Sequence, residues 1–173
     1  CCPSRAALLT GQYPHRVGLG HMTTNDLGQP GYRGVVSDDA QTIAQALAPA
    51  GYRSFMSGKW HLGTPDPTKN GFEEMYGTLV SAKRFFDPDH MVRFPEGRKK
   101  IQYPKGKFYA TDAVTDHALE FLNLARKTPD KPWFLYLAYN APHFPLHAPP
   151  EEIAKYQGRY HGGWDQLRAE RLE

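Results

Sequence analysis

Apolar residues recur along this chain in two rhythms. Val114, Ala118, Phe121, Leu122 and Ala125 return at helical spacing, so the pattern predicts an amphipathic helix over residues 109–127, stopped by Thr128-Pro129. The longest unbroken apolar run, residues 133–138, reads as a buried strand, followed by a loop over residues 140–150. Earlier, Ile43, Ala44 and Leu47 place an apolar stripe on a helix predicted over residues 39–50. Ser37 or Asp38 can cap it, Pro49 frays its last turn and Gly51 ends it. Residues 52–56 then read as a short strand, and residues 57–63 as the loop at its carboxyl end. One more helix opens the chain. Pro3 suits a first turn, where the missing N–H costs nothing, and Ala6 to Leu9 continue it until Thr10-Gly11.

Between these elements the pattern is polar. Residues 12–37 are rich in Gly, His, Thr and Asn and read as a long loop, a feature that is usually functional or mobile in a compact domain. Residues 64–108 show no period and read as an irregular insertion with one short hairpin near residues 91–103. Residues 151–157 and 164–173 read as short exposed helices, the second with alternating Arg and Glu on a solvated face. Strand, helix, strand in this order argues for an α/β fold. Ligands of such sheets bind outside the carboxyl ends of the strands, which here carry Lys59-Trp60-His61 and Pro142-His143.

Composition narrows the reading further. A length of 173 residues suffices for one domain with a core of its own. A net charge of +3 calls for no nucleic-acid partner. No apolar run is long enough to span a bilayer, and the chain opens with neither Met nor a signal-peptide pattern. Fifteen Pro and sixteen Gly mark a loop-rich chain, while 13% aromatic residues exclude a disordered one. The two cysteines are adjacent, and disulfide geometry strains the link between neighbours. They leave open a structural thiol, a disulfide half or a metal ligand, although no third cysteine completes a zinc pattern.

Three constellations carry chemistry. The first is Cys1-Cys2-Pro3-Ser4-Arg5-Ala6-Ala7-Leu8-Leu9-Thr10-Gly11. Cys1 falls just before a predicted helix N-terminus, where unpaired N–H groups and the helix dipole favour an anion. Arg5, about one turn on, can meet an oxyanion through several donors. The second is Gly58-Lys59-Trp60-His61-Leu62-Gly63, a cation and an imidazole two residues apart on a Gly-flanked turn. The bland alternative is a surface turn with a packed Trp. The third is the loop after the strongest strand, where Pro142, Pro145, Pro149 and Pro150 stiffen the mount of His143. His147 reads as a solvated side chain with a pocket-lining place as the alternative, and the histidines at 15, 21, 90, 117 and 161 read as solvated too, His21 in the long loop after the first helix being the least bland of them.

Taken together these segments resemble the formylglycine-dependent sulfatases, the arylsulfatase family of the alkaline-phosphatase-like superfamily. Cys1, Pro3, Ser4, Arg5, Leu8, Thr10 and Gly11 match the first family motif, residues 58–63 the second, and Pro142-His143-Phe144-Pro145 a third segment. The resemblance implies an α/β/α sandwich with a large, mostly parallel sheet. It implies that Cys1 is oxidised to formylglycine, whose hydrate is the nucleophile in the hydrolysis of sulfate monoesters. It further implies that Arg5 and Lys59 neutralise charge on the hydrate and sulfate, that His61 hydrogen-bonds the hydrate, and that His143 meets the leaving-group oxygen. Lys59 and His143 are the expected substrate contacts. The expected cofactor is calcium, and Cys1 as formylglycine is the expected metal ligand within this chain. The family's Asp-Asp and Asp-Asn metal pairs are expected upstream and downstream of it. Residues 1–173 then form a partial catalytic domain beginning at the nucleophile, inactive by itself. Asp38-Asp39 sits where a helix cap is needed and is rejected as a substitute pair. Expected partners are a sulfated small molecule or glycan and a formylglycine-generating or anaerobic maturation enzyme. A periplasmic or secreted location is the expected one. A phosphonate or phosphate ester hydrolase of the same superfamily and a non-catalytic sulfatase-like binding protein stand as alternatives.

Overall fold

A computed structural model of the protein describes residues 1–23, 25–80 and 84–173. Thr24, in the predicted loop, and residues 81–83, in the predicted insertion, lie outside the described residues. Among the described residues four strands form one sheet in the order β3-β2-β1-β4. They are β1 (Arg53–Lys59), β2 (Glu74–Thr78), β3 (Val92–Phe94) and β4 (Trp133–Ala138). The central strand β1 pairs in parallel with β2 on one side, Lys59 opposite Thr78, and with β4 on the other, Gly58 opposite Ala138. β3 runs antiparallel to β2. Among the described residues five α-helices accompany the sheet: α1 (Cys2–Thr10), α2 (Ile43–Leu47), α3 (Ala110–Arg126), α4 (Pro150–Ala154) and α5 (Gly163–Leu172).

The alternation of a strand sends successive side chains to opposite faces, and each face of β1 meets its own core. Phe55 and Tyr76 pack with Val114, Phe121 and Ala125 of α3 on one side, and Phe55 stacks on Phe121 with centroids 5.6 Å apart. Met56 and Met75 face the other way, toward Cys2, Ala6 and Leu9 of α1, Ala44 of α2, and Trp60 and Phe72. A parallel strand covered on both faces must be apolar or satisfied throughout. Ser57 meets this by donating its hydroxyl to the Val114 carbonyl at 2.6 Å.

Several expectations need correction. The helix expected over residues 39–50 is shorter: α2 holds residues 43–47 and a 3-10 turn, Ala48–Ala50, follows. Its cap is Thr42, not Ser37 or Asp38, because Thr42 and Gln45 exchange hydrogen bonds in a full capping box. The strand expected over residues 52–56 runs on to Lys59, so residues 57–59 are ladder, not loop. The insertion holds a fully buried strand, β2, and the expected hairpin is replaced by pairing of β3 with β2. Arg93 explains that pairing. Its side chain, 3% exposed, donates to Glu74 of β2 and, at 3.1 Å, to Glu120 of α3. β4 is not fully buried, since Trp133 and Leu137 stay 51% and 40% exposed at the sheet's edge.

One histidine read as solvated, His117, is packed, whereas His147 stays exposed. His117 is fully buried and stacks on Tyr76 with centroids 3.4 Å apart. Its Nδ1 meets the Ala113 carbonyl at 2.8 Å and its Nε2 accepts from the Ile101 N–H at 3.2 Å, which fixes one neutral tautomer. His147 sits against Phe85 and Phe86, and its Nδ1 accepts from the Phe85 N–H at 3.4 Å.

Candidate active site

Cys1 occupies the cap position of α1, with Pro3 in the first turn and Gly11 closing the helix at φ 66°. Its side chain makes no capping bond, so the sulfur is free of the helix and exposed. Two groups from the end of β1 reach it. Lys59 Nζ donates to Cys1 Sγ at 3.4 Å, and His61 Nδ1 lies 3.2 Å from the same sulfur. These contacts join residues 58 and 60 positions apart in the chain.

The turn that delivers them continues the strand pairing. The Trp60 and His61 N–H groups donate to the Thr78 and Leu79 carbonyls, both at 2.9 Å. His61 takes φ 60°, a left-handed conformation that non-glycine residues adopt at a cost of roughly 1–2 kcal/mol. Trp60 is a packed residue, as the bland alternative held: it is fully buried, edge-on to Phe72, and its Nε1–H reaches Thr64 at 2.9 Å. Packing of Trp60 thus anchors a turn whose flanking residues reach the sulfur.

The electrostatics are one-sided. Lys59 is 1% exposed, and burial, then the nearby Arg5 charge, pull its pKa below the ordinary lysine value. Burial, then the charges of Lys59 and Arg5, push His61 down to about 4, with His143 adding to the effect. His61 is therefore a neutral imidazole at neutral pH, able to accept a hydrogen bond or a proton.

Arg5 reaches across from α1 to the ends of two strands. One guanidinium nitrogen donates to the Lys59 carbonyl at 2.6 Å and to the Tyr136 hydroxyl at 3.1 Å, and the other to the Tyr139 carbonyl at 3.5 Å. It ties α1 to the carboxyl ends of β1 and β4 and lends the site its charge. Nothing in the sequence singled out Tyr136, whose polar end is hidden in an apolar run. Asn140 was equally silent: its amide is buried, and it lines a small cavity with Lys59 and Thr111.

His143 stands on the loop after β4, exposed, with its N–H bonded to the Asn140 carbonyl at 2.9 Å. Its Nδ1 is 2.6 Å from the Phe144 carbonyl, so Nδ1 carries a proton and Nε2 is the ring nitrogen open to a further partner. Two strand ends and one helix start therefore bring Cys1, Lys59, His61 and Arg5 together, with His143 at the rim. Asp38 and Asp39 are exposed and outside the cluster.

A family model described as Sulfatase matches residues 1–173. The chain belongs to the sulfatase family. An uncharacterised sulfatase of Schizosaccharomyces pombe is 34% identical over 195 aligned residues, covering 100% of this chain and 35% of that protein. The arylsulfatase of Klebsiella aerogenes is 30% identical, covering 98% of this chain and 39% of its own length. Among solved structures, Ps i-CgsB in complex with k-i-k-neocarrahexaose superposes with a TM-score of 0.72 at 32% identity, over 90% of this chain and 38% of that one. The chain thus spans little more than a third of these sulfatases. The mixed, mostly parallel sheet is that of the alkaline-phosphatase-like sulfatase fold.

Proposed function

We propose that the protein to which these residues belong hydrolyses sulfate monoesters, with Cys1 converted to formylglycine. One observation carries this reading. The Cys1 sulfur, at the cap of α1, is held between Lys59 Nζ at 3.4 Å and His61 Nδ1 at 3.2 Å. In that position Sγ stands in for the oxygens of a hydrated aldehyde. The hydrate supplies a nucleophilic oxygen and a second hydroxyl that lets sulfate leave by elimination.

The chain's own residues divide the remaining work. Lys59 donates to the nucleophile's oxygen and lends positive charge where a sulfuryl group gathers negative charge. His61, neutral because burial and two cations disfavour its charged form, takes a proton from the hydrate's hydroxyl. The N-terminus of α1 faces the same anion. Arg5 holds Lys59 by its carbonyl and keeps the site cationic. His143, with Nδ1 anchored on Phe144, offers Nε2–H to the departing alkoxide when protonated. The glycan bound by Ps i-CgsB supports a sulfated sugar as substrate class, and a formylglycine-generating enzyme as the maturation partner follows from Cys1. We also propose export to the periplasm or the cell exterior, on the family resemblance.

The family implies calcium, which takes six to eight oxygen ligands. Among the described residues, the group able to hold an ion is Cys1, Cys2 and His61, and it contains no carboxylate. These residues do not fit calcium by themselves. Conversion of Cys1 adds oxygen, and the carboxylate pairs belong, on this reading, to other parts of the protein.

Peptide mass spectrometry of active full-length protein tests the reading. An aldehyde in place of the Cys1 thiol, with turnover of nitrophenyl sulfate but not of a nitrophenyl phosphonate, is expected. An unmodified thiol in a fully active preparation would refute it.

A further inference from the structure

The donor set that fails to fit calcium fits another class of ion. The sulfurs of Cys1 and Cys2 and a ring nitrogen of His61 lie within 4.8 Å of one another. A fourth soft atom adjoins them, since Cys2 Sγ is 3.7 Å from Met22 Sδ. Thiolate and thioether donors select soft ions, and calcium and magnesium want oxygen. Cys2 is fully buried, takes no part in the proposed hydrolysis and sits beside the nucleophile position.

Charge narrows the choice. Lys59 Nζ is 3.4 Å from Cys1 Sγ, and the Arg5 guanidinium is bonded to the Lys59 carbonyl. A dication placed beside two fixed cations meets twice the repulsion of a monovalent one. A monovalent ion with two thiolates carries one net negative charge, which the Lys59 ammonium offsets.

We propose that the folded protein in its unconverted state binds one Cu(I) ion through Cys1 Sγ, Cys2 Sγ and His61 Nδ1, with Met22 Sδ alongside. Two copper–sulfur bonds and one copper–nitrogen bond form. The two thiol protons pass to solvent, and no electron is transferred. Conversion of Cys1 removes one of the two thiolates and puts oxygen in its place, which a soft ion binds poorly. Maturation of Cys1 therefore switches the centre from a soft-ion site to an oxygen site. Binding by the unconverted form stands on geometry alone. Its loss on conversion rests on the formylglycine reading.

The test is an anaerobic Cu(I) titration of full-length protein made without a maturation system, in competition with bicinchoninate. One ion per chain is expected to be withdrawn from the chromophore. Cys1→Ser should weaken binding at least tenfold, and serine is a favoured cap at that position, so the fold is retained. Cys2 is buried, so Cys2→Ala is paired with X-ray absorption of the copper-loaded parent, which should show two sulfur ligands of thiolate type and one nitrogen. Undiminished binding in Cys1→Ser, or an absorption spectrum with nitrogen and oxygen ligands only, overturns the site. Converted protein should no longer compete. If it binds as tightly as the unconverted form, the Cys1 sulfur is not a ligand and the proposal fails; if mass spectrometry finds no conversion at all, the formylglycine reading fails while the titration of the thiol form still decides the copper site.

Discussion

At the scale of single residues, burial beside two cations makes one ordinary side chain, His61, unusual. His61 is almost enclosed and surrounded by cations, so its pKa falls from 6.5 to about 4. In an unfolded chain the same imidazole takes up its proton near pH 6.5. Between pH 6.5 and 4 the unfolded state thus binds more protons, and stability is lost as pH falls through that window. Urea unfolding of the full-length protein should show it, and His61→Gln should flatten the slope between those limits. His117, also pushed down by burial, contributes with the same sign and remains in the variant. A slope unaltered by His61→Gln would show that His61 is not held neutral. His143 differs because it is exposed and anchored through Nδ1 alone. As an acid it should matter only where the leaving group needs a proton. His143→Ala should slow alkyl sulfates by at least about a hundredfold and nitrophenyl sulfate far less. Equal losses on the two substrates remove the acid role.

At the scale of elements, the site depends on three strands ending side by side. Gly58 of β1 pairs with Gly77 of β2 and with Ala138 of β4, a row of the smallest residues just before Lys59. Gly58 takes φ 123°, and a Cβ there would overlap the Ala138 carbonyl. Gly58→Ala should therefore cost at least about 3 kcal/mol and displace Lys59, lowering activity in the protein that still folds. Gly97, at φ 84° with open space around it, is the control, with an expected cost of about 1 kcal/mol for Gly97→Ala. Denaturant midpoints of the two variants decide the matter, and similar shifts would mean that the strands can separate at Gly58. This row also shows what the sequence leaves hidden. α1, α3, β1 and β4 are legible because helical spacing, an apolar run and strong stops name them locally. β2 is not, because Glu74-Met75-Tyr76-Gly77-Thr78 has no apolar run. Its burial is permitted by Arg93, which pairs with Glu74 from a different strand. The same holds at the site. Cys1, Lys59, His61 and His143 lie in motifs, whereas Tyr136 and Asn140 gain their places only from contacts made across the sheet.

At the scale of the molecule, the described site is complete in its cationic half only. Lys59, Arg5 and the N-terminus of α1 surround Cys1 with positive charge. Calcium beside that charge needs several carboxylates, both to complete its shell and to offset the cations. Among the described residues none lies in the metal-competent group. β4, meanwhile, forms one edge of the sheet, with Trp133 and Leu137 half-exposed along it. An open strand edge bearing apolar side chains is a template for pairing with other chains. Residues 1–173 produced alone should therefore associate, bind calcium no more tightly than millimolar and leave nitrophenyl sulfate unhydrolysed, even with Cys1 converted. Light scattering, calorimetric titration with calcium and a sulfate-release assay on the same sample check the three parts. Sub-micromolar calcium affinity would be the informative failure. It would place the carboxylates within this chain, and Asp38-Asp39, exposed and free of the capping duty that Thr42 performs, would be the pair to substitute first.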